Sequence, residues 1–292
     1  MTGVLPDPTA PTQNRPPMTT SASVAPLSSA HRAAATVGFG RLVAAEARKL
    51  VDTRSGFWLL IATGLVTLAV TAANVLLLAY AYTANAELAG RRVDLLTSAQ
   101  SAAGVLTLFL TVLSILTITS EWGQRTVLTT FVLEPRRQRV LAAKLVVILT
   151  VTVLATVIAF PVAAGLMGLA HAIFGVGLDW SLQAGPVFGV VLVAVLGALM
   201  GAGFGLLMLN GPAAIVTSFL LPTVLAMTSL ISFAWRPYAD IDPWVNPTTA
   251  QSPLLLWEMG SQAWAHLAVT TLIWIGVPLA IGMWRWGRRE AT

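Results

Sequence analysis

Long apolar runs divided by short charged segments make up most of this chain. The longest run lies between Asp179 and Arg236 and holds 56 residues without Asp, Glu, Lys or Arg. An α-helix rises about 1.5 Å per residue and the hydrocarbon core of a bilayer is about 30 Å thick, so about 20 apolar residues cross it once. The run is therefore long enough for two spans. We place the turn between them at Asn210-Gly211-Pro212, where Gly frees the backbone and Pro lacks an N–H donor.

Charged residues also bound the other apolar runs, because a charge near the centre of a bilayer costs about 2.5–3.5 kcal/mol on insertion scales. The pattern predicts six membrane-spanning helices, near residues 57–80, 102–120, 145–170, 186–209, 213–235 and 263–284. The composition agrees, with 56% hydrophobic and 10% charged residues, whereas a soluble domain has about 25% charged residues. The expected fold class is an all-α, polytopic membrane protein.

The basic residues are distributed unevenly between the two ends of these helices. Fourteen of the seventeen Lys and Arg residues precede the first span, lie between the second and third spans, or follow the sixth. Cytoplasmic loops carry an excess of both residue types, so both termini are expected to be cytoplasmic. The formal net charge of +5 flanks membrane spans, which favours contact with anionic lipids of the bilayer over nucleic acid.

Outside the spans, the sequence contains an N-terminal tail, an amphipathic segment and two long connecting segments. Residues 1–37 are rich in Pro, Ser, Thr and Ala, which predicts a disordered cytoplasmic tail. In residues 38–55, apolar positions such as Phe39, Leu42 and Leu50 recur at helical spacing opposite charged positions, which predicts an amphipathic helix on the inner membrane surface. The six-helix domain then covers residues 56–286, with a cytoplasmic loop at 120–144 and an outer, Pro- and Trp-containing segment at 236–262.

Several kinds of chemistry are excluded by residues that the sequence lacks. The two lysines, Lys49 and Lys144, do not belong to a G-x-x-x-x-G-K-[S/T] phosphate loop. The three histidines, His31, His171 and His266, are far apart and show no metal-ligand spacing, so no metal site is expected. The spans carry no Asp, Glu, Lys or Arg, and such charged residues are what proton- or sodium-coupled carriers usually keep inside the membrane. We expect a protein that is not itself an enzyme and holds no cofactor of its own.

The second span carries a stripe of hydroxyl groups. Thr107, Thr111 and Ser114 follow i, i+4, i+7 spacing and so share one helix face. They are candidate residues for lining a transport pathway. The alternative is that they bond to carbonyl groups one turn earlier or on another helix.

The fourth span carries glycines that predict close helix packing. Gly197, Gly201 and Gly205 form a G-x-x-x-G-x-x-x-G face, whose partner helix belongs either to the same subunit or to a second one. Most of the ten tryptophans lie near predicted span ends, as in an aromatic belt. Trp274 is the exception.

The cytoplasmic loop has the most distinctive local sequence, SEWGQRTVLTTFVLEPRRQRVLAAK. Glu121 ends the second span, residues 126–133 have helical spacing, and Pro135 stops this short segment before a basic cluster. Such a segment can present a docking surface to a soluble partner. On charge alone, a solvated loop on the cytoplasmic side is the better explanation.

The order of residues in two segments resembles permeases of the ABC-2 type, the membrane subunits of bacterial ABC exporters. In the loop the similarity rests on Glu121, Thr126, Pro135, Arg136, Arg137, Arg139 and Lys144. Before the first span it rests on Glu46, Lys49, Arg54, Ser55 and Trp58. The resemblance covers the six-helix layout from residue 42 onward, but the motifs lie within 42–58 and 120–144. One departure is Arg125, which stands where the family often has Gly.

This resemblance implies specific roles. Residues of the loop would couple the chain to a separately encoded ABC ATPase: Glu121, Trp122, Arg125, Thr126, Arg136, Arg137 and Lys144. Glu46, Lys49 and Arg54 would belong to the connecting helix beside it, and residues 236–262 would form re-entrant helices that close the outer exit. ATP and Mg would bind the partner subunit, and a second permease copy or paralogue would complete a dimer in the bacterial inner membrane.

The expected function is then that of a permease subunit in an ATP-driven exporter of an amphipathic or hydrophobic drug or lipid. Two alternatives remain open. One is a membrane anchor or sensor that recruits a cytoplasmic partner and moves no substrate. The other is a secondary carrier, which the absence of charge inside the spans disfavours.

Overall fold

The computed structural model describes residues 38–88, 90–123 and 137–288, without the side chains of residues 121–123, 137, 233 and 287–288. The helices of this part are α1 (Phe39–Asp52), α2 (Arg54–Ala84), α3 (Leu95–Gly123), α4 (Arg137–Phe174), α5 (Ala184–Met208), α6 (Gly211–Thr228), α7 (Arg236–Val245), α8 (Pro247–Leu256), α9 (Ser261–Thr271) and α10 (Val277–Arg288). A π-helical turn, Leu272–Gly276, joins α9 to α10. Two short 3-10 helices, Ala86–Leu88 and Ser229–Phe233, and two short strands, β1 (Arg92–Asp94) and β2 (Gly177–Asp179), complete the described elements.

Six helical segments of the described ranges are long and apolar enough to cross a bilayer, which confirms the six predicted spans. They are Arg54–Ala84, Leu95–Ser120, Gln138–Phe174, Ala184–Met208, Gly211–Ser232 and Ser261–Trp286. Several extend beyond the predicted bounds because polar residues next to an apolar run can still continue or cap a helix. Asp94, for example, caps α3 by accepting a hydrogen bond from the backbone N–H of Thr97 at 2.7 Å.

The turn between α5 and α6 lies at the predicted place but has a different conformation. Leu209 takes the left-handed conformation, with φ of 52°, and the Asn210 side chain then caps α6 by accepting from the N–H of Ala213 at 3.1 Å. Gly211 is already the first residue of α6. A Cβ there would lie 3.2 Å from the hydroxyl oxygen of Thr119, so this glycine serves helix packing and not the turn itself.

A small parallel ladder joins the ends of two helical hairpins, a feature that the all-α prediction missed. Val93 of β1 pairs with Leu178 of β2, and Val93 is buried against α2 and α4. Strands of three residues are too short for an alternating pattern to be recognised. At the end of β2, the backbone N–H and the hydroxyl of Ser181 lower the pKa of the Asp179 carboxyl by hydrogen bonding to its charged form.

The centre of the bundle is formed by α3 and α5. The most apolar stretches of α3 and α5 are 61% and 56% buried inside the protein, compared with 11% for the span that begins with α6. The predicted glycine face explains their close approach, because Gly197, Gly201 and Gly205 all lie against α3. A Cβ on Gly201 would stand 2.6 Å from the carbonyl oxygen of Thr111. The packing partner of this face is therefore a helix of the same chain.

The first span begins at the same end of the bundle at which the last span ends. Trp286 of α10 packs in one apolar cluster with Ile118 of α3 and Leu141 of α4. The Arg285 guanidinium donates to the carbonyl oxygen of Leu207, near the end of α5, at 2.6 Å. Because α1 packs against the start of α4 here, we call this the α1 end of the bundle.

Candidate functional site

A buried ion pair fastens α1 to the bundle. The Lys144 ammonium lies 2.7 Å from Glu46 Oε2, and each side chain is only 2% exposed. Lys144 also donates to the carbonyl oxygen of Thr117 on α3 at 3.3 Å. On the partly exposed side, the ammonium of Lys49 lies 2.6 Å from Glu46 Oε1. A single carboxylate thus connects α1 to α4, and the lysine it binds extends the connection to α3.

The helical periodicity of both segments brings these charges inside. Glu46 precedes the buried Leu50 by one turn and shares its face of α1. Lys144 lies between Val140 and Val147, which are also buried, on one face of α4. Burying either charge alone would be strongly unfavourable, whereas the pair offsets much of that cost through direct contact.

The position of Lys144 corrects the predicted loop of residues 120–144. The sequence places Lys144 in the loop, among the residues that would couple to an ATPase, but it lies two turns inside α4 with its ammonium buried against Glu46. The prediction took the lysine as part of the preceding basic cluster, although its helical spacing places it with the apolar residues. Helices α3 and α4 also extend into the predicted loop, as far as Gly123 and from Arg137.

The other residues of the predicted coupling and connecting segments are placed in part. Arg125, Thr126 and Arg136 lie outside the described residues, as do the side chains of Glu121, Trp122 and Arg137 at the ends of α3 and α4. Their contact with a partner stays a prediction. Arg54 is exposed at the first turn of α2.

A cleft of about 290 Å³ opens at the other side of α3, between α3, α5, α6, α8 and the α9–α10 junction. Thr107 and Thr111 of the predicted hydroxyl stripe line it, although each hydroxyl also donates to the carbonyl one turn earlier at 2.7 Å. Ser114 does not line the cleft, since its buried hydroxyl donates to the carbonyl oxygen of Ala198 on α5 at 2.7 Å. Hydroxyls on one helix therefore line a cleft and also bond to carbonyl groups, which are the two alternatives that the sequence leaves open.

A second buried carboxylate holds the short helices α7 and α8 against the end of α6. Asp242 is 5% exposed and accepts from the Thr249 hydroxyl at 2.6 Å, the Ser229 hydroxyl at 3.0 Å and the Asn246 amide at 3.2 Å. We call these four residues the Asp242 cluster. The sequence analysis did not single out Asp242, which lies in the outer segment at 236–262.

Replacing Asp242 by Ala is expected to loosen α7 and α8 from the bundle. The substitution removes the acceptor of the Thr249 hydroxyl, and a buried polar group without a partner costs about 1–3 kcal/mol. The Ser229 hydroxyl and the Asn246 amide also lose this acceptor but keep the carbonyl oxygen of Leu225, each at 3.3 Å. Hydrogen exchange should show faster exchange at the backbone amides of α7 and α8. The control is Asp240→Ala, which removes an exposed carboxylate from the same helix. Equal exchange in the two variants would contradict a structural role for Asp242.

The fold and these sites define a multi-pass α-helical membrane protein with a clamped amphipathic helix at one end and an uncharged cleft between its spans. Within the described residues, no three His, Asp or Glu side chains lie close enough together to hold a metal ion. No protein-family model matches the chain, and no curated protein is significantly similar to it.

Proposed function

We propose that this protein is the membrane-spanning permease subunit of an ATP-driven ABC exporter. It acts with a separate ATPase subunit, which binds ATP and Mg, and with a second permease copy or paralogue. The supporting observation is that the two sequence segments with ABC-2-like motifs, 42–58 and 120–144, meet in space through Glu46 and Lys144 at 2.7 Å. Glu46 and Lys144 are 98 residues apart in sequence.

The packing offers a physical route from such an ATPase to a substrate. The loop between α3 and α4 would be displaced when ATP closes the ATPase subunits, and the ion pair makes α1 move with both helices. A helix transmits an axial displacement over its length, and Thr111 in the cleft lies about 15 Å along α3 from Glu121 at 1.5 Å per residue. The glycine face of α5 packs against the same part of α3, so α5 would move with it.

The proposed orientation places the α1 end in the cytoplasm of a bacterium, with the Asp242 cluster at the outer face. The distribution of basic residues supports it, because Arg41, Arg48, Arg139 and Arg285 belong to the α1 end. The substrate would be an amphipathic or hydrophobic compound, such as a drug or a lipid, since no charged residue of the described ranges lines the cleft.

Co-purification tests the proposal directly. Tagged protein is extracted in mild detergent, and its companions are identified by mass spectrometry and assayed for ATP hydrolysis. We expect a stoichiometric P-loop protein whose hydrolysis depends on this chain. A preparation without such a partner, or with a partner that lacks ATPase motifs, would instead support an anchor or sensor subunit.

In the reconstituted complex, Glu121→Ala is expected to abolish coupled transport while membrane insertion stays intact, because the substitution removes the charge of the proposed coupling segment. The matched control is Glu258→Ala, an exposed glutamate at the opposite end of the bundle. Transport and ATPase stimulation at the unsubstituted level in Glu121→Ala would overturn the coupling role.

A further inference from the structure

The lining of the cleft combines an apolar surface with a few polar side chains that have no internal partner. Thr223 of α6, Gln251 of α8 and Thr271 of α9 line it, and their side chains make no hydrogen bond within the described part of the chain. Met200, Phe219 and Trp274 contribute apolar and aromatic surface. Ligand sites for small molecules have this composition, with a few placed polar groups in a mainly apolar wall.

Two irregular helix segments meet at the cleft. Pro222 inside α6 has no N–H to donate to the carbonyl oxygen of Ser218, and both residues line the cleft. On the facing side, the π-helical turn Leu272–Gly276 carries Trp274 and Ile275 into the lining. Single π-helical turns are rare and occur frequently at functional sites.

The aromatic wall is held in a fixed orientation. The Trp274 indole N–H donates to the carbonyl oxygen of Val245 at 2.7 Å, at the end of α7. Its ring centroid lies 6.3 Å from that of Phe204, at an interplanar angle of 41°. Trp274 is therefore positioned before any ligand arrives, which lowers the entropy lost on binding. It is also the tryptophan that the aromatic-belt pattern does not explain.

We propose that this cleft binds an uncharged, mainly apolar small molecule that carries a hydrogen-bonding group. A charged ligand would lose its hydration without meeting an opposite charge, which is strongly unfavourable in such surroundings. A hydrogen-bonding group on the ligand would instead satisfy Thr223, Gln251 or Thr271. The statement that this ligand is exported rests on the proposed function, whereas binding itself does not.

Photolabelling of the purified full chain in phosphatidylcholine nanodiscs tests the site. The probe is benzophenone, which has two aromatic rings and one carbonyl acceptor and bonds to nearby C–H groups under ultraviolet light. Matched probes carry a carboxylate or a trimethylammonium group on one ring. We expect benzophenone to label residues of the cleft, as mapped by mass spectrometry, and both charged probes to label them weakly. Equal labelling by the three probes would overturn the proposal.

A charge substitution tests whether the cleft selects an uncharged ligand, and it does so without filling the cleft. In Gln251→Glu the side chain keeps its size but adds a negative charge, so the ratio of cationic to neutral probe on cleft residues should rise about tenfold or more. Gln262→Glu adds the same charge at an exposed position outside the cleft. An unchanged ratio in Gln251→Glu, or an equal change in both variants, would overturn the assignment.

A steric pair separates the cleft from the lipid-facing surface. Ala226 lines the cleft, whereas Val224 on the same helix is 47% exposed and does not. Ala226→Trp should abolish benzophenone labelling in the cleft, and Val224→Trp should leave it unchanged. Labelling that persists in Ala226→Trp would overturn the proposal. Gln251→Glu supplies the independent test if Ala226→Trp does not fold.

Competition identifies the source of the ligand. Displacement of benzophenone by dioctanoylglycerol would indicate an uncharged membrane lipid, and its retention would indicate a free small molecule; both outcomes agree with the proposed chemistry. Because these assays contain no ATPase, a failure of labelling and a failure of co-purification are separate results. If the cleft is labelled but no ATPase partner is found, the proposed ligand site would still be supported. Only the proposal that the protein belongs to an ATP-driven exporter would be overturned.

Discussion

The free energy of unfolding of the Glu46→Leu variant is expected to lie about 3–5 kcal/mol below that of the unsubstituted protein, the cost of removing one member of a buried ion pair. Lys144 is 2% exposed, and its carboxylate partner at 2.7 Å would be lost. Unfolding by SDS titrated into mild detergent, followed by circular dichroism, measures the difference.

The order of the variants tests the ion pair itself. Lys144→Leu should also lower the free energy of unfolding, although Glu46 keeps its contact with Lys49 at 2.6 Å. The double variant Glu46→Leu/Lys144→Leu should recover most of the loss, since apolar replacements of a whole buried pair are often neutral. Asp52→Leu, at an exposed position of the same helix, is the matched control. A Glu46→Leu loss no larger than that of Asp52→Leu would contradict the assigned role.

The same variants separate stability from function. If α1 transmits the movement of an ATPase to α3 and α4, the double variant should fold but respond differently to ATP, because an apolar contact is less directional than a charge pair held by hydrogen bonds. The measurement is transport per ATP hydrolysed in the reconstituted complex.

The spans could be predicted from the sequence because they depend on length and composition alone. A run of about 20 apolar residues without charge has few alternatives to a membrane helix. The helical periodicity of residues 38–55 likewise predicted α1, observed at Phe39–Asp52. The G-x-x-x-G pattern predicted a close helix contact, although only the structure identifies α3 as its partner.

The pairing of Glu46 with Lys144 could not be predicted, since no local pattern relates residues 98 positions apart. The sequence singles out both residues, but it groups Lys144 with the basic cluster of the cytoplasmic loop at 120–144. Its spacing from Val140 and Val147 was the available indication of a buried position. The cleft is harder still, because its lining comes from five helices and depends on how their interruptions align.

The contact between α5 and α8 leads to the second large expected effect. Gly189 of α5 lies so close to α8 that a Cβ would overlap the carbonyl oxygen of Leu254. Because a backbone atom cannot rotate away, Gly189→Ala must displace α8, and overpacking of this kind costs about 1–3 kcal/mol or more. The displacement would also break the hydrogen bond from the Gln100 amide to the carbonyl oxygen of Leu255, 2.7 Å long in the structure.

Gly104→Ala is the matched control, because a Cβ at Gly104 on α3 meets no atom within 4 Å. That variant should be neutral or stabilised by up to about 1 kcal/mol, the difference in helix propensity between Ala and Gly. Since Gln251 of α8 lines the cleft, Gly189→Ala should also reduce benzophenone labelling there, while Gly104→Ala should not. SDS unfolding and photolabelling of the two variants measure both effects. Equal stability and equal labelling would mean that α8 can leave α5 without cost, and that the cleft does not depend on this contact.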